Sequence, residues 1–143
     1  MHMKGSITFT IVKPSALSMN YLGPILTTIT DNEFKVIAIK MMHLSKAQAS
    51  AFYAVHQDKP FFNDLVDFIV SGPLVVAILE KDNAVEDYRK LIGATNPEKA
   101  DTGTIRKLYG IDMQRNAVHG SDSDENALIE SRFFFSDIEI FKY

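Results

Sequence analysis

The residues with the clearest chemical potential in this 143-residue chain lie in the run Asn116-Ala117-Val118-His119-Gly120-Ser121-Asp122. His119 ends a short apolar stretch, and an imidazole near its ordinary pKa serves as a nucleophile or as an acid/base. Gly120 allows an unusual backbone turn beside it. Ser121 and Asp122 open an amphipathic segment, so oriented amides and a positive dipole end are expected nearby, where an anion is favoured. Glu130 follows roughly two helical turns later and could reach back to orient the ring, fixing its tautomer. Alone, this stretch also fits a histidine at an ordinary capped turn, and Glu130 also fits a solvated helix residue.

Other candidates fall at the ends of elements. Lys13, Arg89 and Arg106 could converge on a polyphosphate, and arginine grips phosphate bidentately. Thr95 could add a hydroxyl. Tyr53, His56 and Phe61 cluster around the joint between two helical segments. An aromatic there can stack on a base without reading its identity. The competing reading is solvated charge for the cations and core packing for the aromatics.

The elements that must position these groups follow from periodicity. Ile7–Val12 alternates and predicts a strand that Lys13-Pro14 ends. Ser15 to Asn20 is expected to be a loop. Leu22, Ile25, Leu26 and Ile29 have helical spacing up to Asp31. Phe34–Met42 predicts the second strand. Ser45 is the expected cap of a helix over Lys46–Val55, and Pro60 the start of a helix over Phe61–Val70. The apolar run Leu74–Leu79 predicts a buried strand. Asn83 is the expected cap of a helix through Ile92 that Gly93 closes. Thr104–Leu108 predicts a short helix and Ala117–His119 a short fourth strand. Asp122 and Glu125 match a capping box for a helix to Arg132. Phe133, Phe134 and Phe135 are expected on the core, with an extended tail to Tyr143.

Strands alternating with helices predict an α/β (α+β) fold: a ferredoxin-like sandwich with a four-stranded antiparallel sheet covered by helices. Residues 1–143 are expected to form a single domain, with residues 1–2 a cloning remnant. The composition is 46% hydrophobic and 23% charged with a net charge of −3, ordinary for a globular chain. That balance disfavours a nucleic-acid binder relying on overall positive charge. There is no cysteine, which excludes disulfides, thiolate catalysis and Cys-ligated zinc. No run approaches a membrane span, and no secretion signal is evident at the start, so a cytoplasmic location is expected. The carboxylates show no metal-ligand spacing, and neither glycine-rich phosphate fingerprint is present.

Taken together, these residues resemble the nucleoside diphosphate kinase family. Asn116 to Asp122 match its signature N-x-x-H-[GA]-S-D in full. Agreement extends to Thr8–Pro14, Phe52-Tyr53 with His56, Pro60-Phe61-Phe62, Ser71-Gly72-Pro73, Gly93–Pro97 and Gly103–Arg106, covering Thr8 to Phe135 in order. The resemblance implies transfer of the γ-phosphoryl of a nucleoside triphosphate, mainly ATP, to a nucleoside diphosphate through a phosphohistidine. It implies that His119 is the nucleophile, with Glu130 and Ser121 supporting its ring. Lys13 and Asn116 would contact the sugar hydroxyls. Tyr53, His56, Arg89, Thr95 and Arg106 would surround the phosphates, and Phe61 would stack on the base with Met113 opposite.

Mg²⁺ would arrive with the nucleotide phosphates, without a protein metal site. A homo-oligomer is implied, a tetramer or hexamer built on a dimer, with no membrane and no nucleic acid required. The run Ser15-Ala16-Leu17-Ser18-Met19-Asn20 departs from the family's usual Asp, then Gly or Ala, after Lys-Pro, and Gly5-Ser6-Ile7 replaces a common Glu-Arg pair. Two rivals stand beside this reading: a non-catalytic ferredoxin-like nucleotide- or nucleic-acid-binding module, and a histidine-dependent protein phosphotransferase.

Overall fold

The computed structural model describes residues 5–143, so the expected cloning remnant Met1-His2 lies outside the described residues. Strands β1 (Ile7–Val12), β2 (Lys35–Met42), β3 (Leu74–Glu80) and β4 (Val118–Gly120) form one sheet in the order β2-β3-β1-β4. Every neighbouring pair is antiparallel. This is the expected ferredoxin-like arrangement. It puts the short β4 on an edge beside β1, where Val118 is buried and His119 and Gly120 are partly exposed.

All of β1 is buried, because helices cover both sheet faces. Ile7, Phe9 and Ile11 point into one layer with Leu74, Val76 and Ile78 of β3. Val12 points into the other with Val75, Ala77 and Leu79. The continuous apolar run of β3 is thus split between two cores by the pleat. Helices α3 (Lys46–Phe52), α4 (Phe62–Ile69) and α7 (Asp124–Phe134) supply buried residues to the first layer. Helices α2 (Leu22–Asp31), α5 (Ala84–Ile92) and α6 (Ile105–Tyr109) supply the second.

Several expectations are corrected. Pro14–Ser18 is a one-turn helix, α1, rather than a loop, because Pro14 at its first position presets φ for a helical turn. The helix expected over Lys46–Val55 ends at Phe52, and Ala54–His56 tightens into a 3₁₀ turn. Phe61 caps α4 instead of entering it. Asn83 sits at the N-cap of α5 but with φ of 57° and no capping bond; its amide donates to Glu86 and Asp87. Ser123, not Asp122, caps α7, accepting from the Asn126 amide, and Asp122 instead accepts from the Asn126 side chain at 2.6 Å. Phe134 and Phe135 are buried as expected, whereas Phe133 is 43% exposed.

Candidate active site

His119 faces Ile11 across the β1–β4 ladder, so its ring projects to the α7 side of the sheet. There it meets the edge of Phe52, with centroids 6.0 Å apart, and Phe9 at 6.1 Å. Its Nε2 lies 2.8 Å from Oε1 of Glu130, one helical face along α7. Ser121 donates its hydroxyl to the same oxygen at 2.7 Å. An ionised carboxylate only accepts, so Nε2 carries the hydrogen and Nδ1 keeps a free lone pair. Nδ1 has no hydrogen-bond partner among the described residues. The side chains of His119 and Glu130 are 24% and 18% exposed, so the pair is reachable yet partly shielded from water.

The chain reaches this position through a tight turn. Ala117 has φ of 75°, and the Val118 amide donates to the Asn116 carbonyl at 2.9 Å. This is a γ-turn of the rare, strained hand, at a buried alanine. Backbone strain of this kind persists only where the surroundings over-determine it. The left-handed turn therefore falls at Ala117, not at Gly120. Space at 120 is tight: an added Cβ would stand 3.0 Å from Cδ1 of Ile92 and 3.1 Å from Cδ2 of Tyr88, so those side chains would have to give by a few tenths of an ångström.

Asn116 is buried beneath the turn. Its side chain accepts from Lys13 Nζ at 2.7 Å and donates to the Thr95 carbonyl at 3.0 Å, linking three candidates from three segments. Burial, then repulsion from Arg106, pulls the Lys13 ammonium down to about 8. Arg106 donates to the carbonyls of Gly93 and Val118, both at 3.0 Å. Those partners carry no charge, and burial lowers its guanidinium to about 10. The Tyr53 phenol is pushed up to about 12 by burial and then by the charge of Glu130.

A cleft of about 490 Å³ opens over the ring, lined by His56, Arg89, Thr95, Arg106, His119 and Glu130 among others. A second cavity of about 400 Å³ shares Arg89, Thr95 and Arg106 and adds Lys90 and Lys99. Six of the expected site residues thus line one cleft, with Ser121 beneath Glu130 and the Lys13–Asn116 pair tied to the Thr95 backbone. Tyr53 and Phe61 flank His56, at ring separations of 6.4 and 5.8 Å. Met113 is 60% exposed and lines neither cavity, and Phe61 is itself 47% exposed.

Phe52, Phe133, Asp122 and Asn126 line the same cleft, and the sequence assigns none of them a role in it. Phe52 follows helical spacing like any core residue, so only its contact with a ring 67 positions away distinguishes it. Among the described residues no group of three His, Cys, Asp or Glu side chains could hold a metal ion. Asp122 and Glu130 are the carboxylates lining the cleft, and Glu130 is engaged by His119 and Ser121.

Residues 6–140 match the nucleoside diphosphate kinase family. The chain is 52% identical over 132 residues to the nucleoside diphosphate kinase of Lawsonia intracellularis, covering 92% of this chain and 96% of that one. It is 53% identical over 134 residues to that of Flavobacterium psychrophilum, covering 94% and 96%. Among solved structures, the Aquifex aeolicus nucleoside diphosphate kinase superposes with a TM-score of 0.92 at 41% identity, over 94% of this chain and 98% of that one. The Halobacterium salinarum enzyme in complex with CDP superposes with a TM-score of 0.93 at 37% identity, over 97% and 93%.

Proposed function

The chain belongs to the nucleoside diphosphate kinase family, and from that premise we propose that His119 is the group through which it moves a phosphoryl from a nucleoside triphosphate to a nucleoside diphosphate. The observation that carries this reading is the pairing of His119 Nε2 with Glu130, which leaves Nδ1 as the free lone pair beside a cleft that Arg89 and Arg106 line.

In the first half-reaction Nδ1 attacks the γ-phosphorus of ATP. An N–P bond forms, the bond from the γ-phosphorus to its bridging oxygen breaks, and ADP leaves with that electron pair. In the second half-reaction a terminal oxygen of a nucleoside diphosphate attacks the same phosphorus and His119 is restored. No water is consumed, and one site serves donor and acceptor in turn.

Glu130 holds the Nε2 hydrogen and stabilises the positive charge that the ring acquires as Nδ1 bonds to phosphorus. Ser121 shares the carboxylate and fixes its direction. Arg89 and Arg106, with Thr95 and His56, offset the negative charge on the moving phosphoryl and the leaving oxygen. Among the described residues neither arginine has an anionic partner, which supports this role. Lys13 and Asn116 are proposed for the sugar hydroxyls, Tyr53 for the phosphates, Phe61 for the base and Met113 for its far side. Recognition by stacking gives low base specificity. The donor set suits a magnesium ion held chiefly by the nucleotide's own phosphates, where it would neutralise phosphate charge.

The full chain is taken as one domain, acting in the cytoplasm as a homo-oligomer, a tetramer or hexamer built on a dimer. Exposed Ile39 and Met41 on edge strand β2 support assembly. No helix among the described residues is long and apolar enough to cross a membrane.

Steady-state kinetics test the reading. With ATP and GDP varied together, double-reciprocal plots are expected to be parallel, as a ping-pong route requires. Intersecting lines would mean that both nucleotides bind before transfer, contrary to a phosphohistidine route.

A further inference from the structure

Two buried hydroxyls with no part in the steps above lead to the backbone of His119, one touching it directly and the other through the first. Thr10 lies in the middle of β1 and Tyr88 on α5, and both are shielded from solvent. Thr10 Oγ1 donates to the His119 carbonyl at 2.8 Å and lies 2.7 Å from the Tyr88 hydroxyl. Proton accounting fixes the direction. A carbonyl only accepts, so Thr10 gives its single hydrogen to His119, and Tyr88 must donate to Thr10. The result is a one-way chain from Tyr88 to Thr10 to the His119 carbonyl.

The surroundings make this arrangement informative. Tyr88 packs with Val12, Ala77, Leu79 and Ile92, and meets Phe34 edge-on at 5.5 Å. Hydroxyls in such a layer are costly unless paired, so an apolar residue would serve packing at least as well. Burial pushes the Tyr88 phenol upward, so it keeps its hydrogen. The same ring occupies the space beside Gly120. Its chain neighbour Arg89 lines the cleft over His119. One residue therefore braces the peptide that follows the histidine and the helix that carries a cleft arginine.

We propose that Tyr88 and Thr10 are positioning residues for phosphoryl transfer: together they fix the His119 peptide, and hence the line of its Nδ1, relative to the arginine-bearing helix. This rests on the reading of His119 as the phosphoryl acceptor. Misplacement by a fraction of an ångström slows an in-line attack with little effect on binding.

The test measures single-turnover labelling of His119 by γ-labelled ATP, alongside ADP affinity. Thr10→Val removes the central hydroxyl at similar volume; Tyr88→Phe removes the outer hydroxyl and leaves the Thr10–His119 bond intact, so its fold is kept. We expect labelling to slow roughly 10-fold in Thr10→Val and about 3-fold in Tyr88→Phe, with ADP affinity unchanged. Thr10→Ser should restore the rate. Because Tyr88's hydroxyl acts through Thr10, adding Tyr88→Phe to Thr10→Val should slow labelling no further. Wild-type rates in both single variants, no rescue by serine, or multiplicative losses in the double variant would each overturn the positioning role. If the wild-type chain itself takes no label, the phosphohistidine reading fails instead, which separates the two outcomes.

Discussion

Glu130 Oε1 lies 2.8 Å from His119 Nε2, and the same oxygen accepts the Ser121 hydroxyl. This fixes which ring nitrogen is spoken for. Replacing Glu130 with Gln keeps the shape but removes the charge that supports a positively charged ring. Labelling of His119 is expected to slow on the order of 100-fold, with nucleotide affinity nearly unchanged. Equal rates for both proteins in single-turnover experiments would remove Glu130 from the mechanism.

Arg106 holds two carbonyls and has no counter-ion among the described residues. Arg106→Ala should therefore slow transfer by a factor on the order of 10² or more. The stranded Gly93 and Val118 carbonyls should also cost about 1–3 kcal/mol of stability. Activity measured well below the melting transition separates the two effects. Activity that is lost only as the chain unfolds would make the residue structural.

Lys13 predicts a pH dependence. Its folded-state pKa is lowered from 10.5 to about 8, by burial first and Arg106 second. Between those values the unfolded chain binds more protons than the folded one, so this residue's contribution to stability rises with pH across the window. That contribution is complete above 10.5 and is lost as pH falls through 8. Binding has the opposite sign. The free enzyme loses the cation above about pH 8, so kcat/KM should decline there. Lys13→Met should flatten both changes; a wild-type profile in that variant would assign them elsewhere.

Gly120→Ala tests the crowding beside the histidine. The new methyl would press on Ile92 and Tyr88. A loss of about 1–3 kcal/mol is expected in denaturant unfolding, the usual cost of overpacking. Unchanged stability would show that α5 can move away from β4.

Particular residues show why some of this was legible in the chain and some was not. The run Leu74–Leu79 announces a buried strand, because it is short, rich in β-branched residues and preceded by Gly72-Pro73, whereas a buried helix would run longer. His119 and Glu130 were legible as a pair because one turn and a helix join them locally. Thr8 and Thr10 were not legible as buried. An alternating strand suggests one wet face, whereas helices cover both faces here. The start of α7 was displaced by one residue because Asp122 and Ser123 both suit a cap, and only the Asn126 contacts decide between them. Phe52 against His119 and Tyr88 against Thr10 join segments distant in sequence, and no local pattern encodes them.

The central claim is that phosphoryl groups pass through His119. The most direct measurement incubates the chain with γ-labelled ATP and no acceptor, then follows the label. The account predicts label that survives base and is lost in acid, that is absent from His119→Ala, and that leaves as GTP when GDP is added. An unlabelled wild-type chain, or equal labelling of His119→Ala, would contradict it.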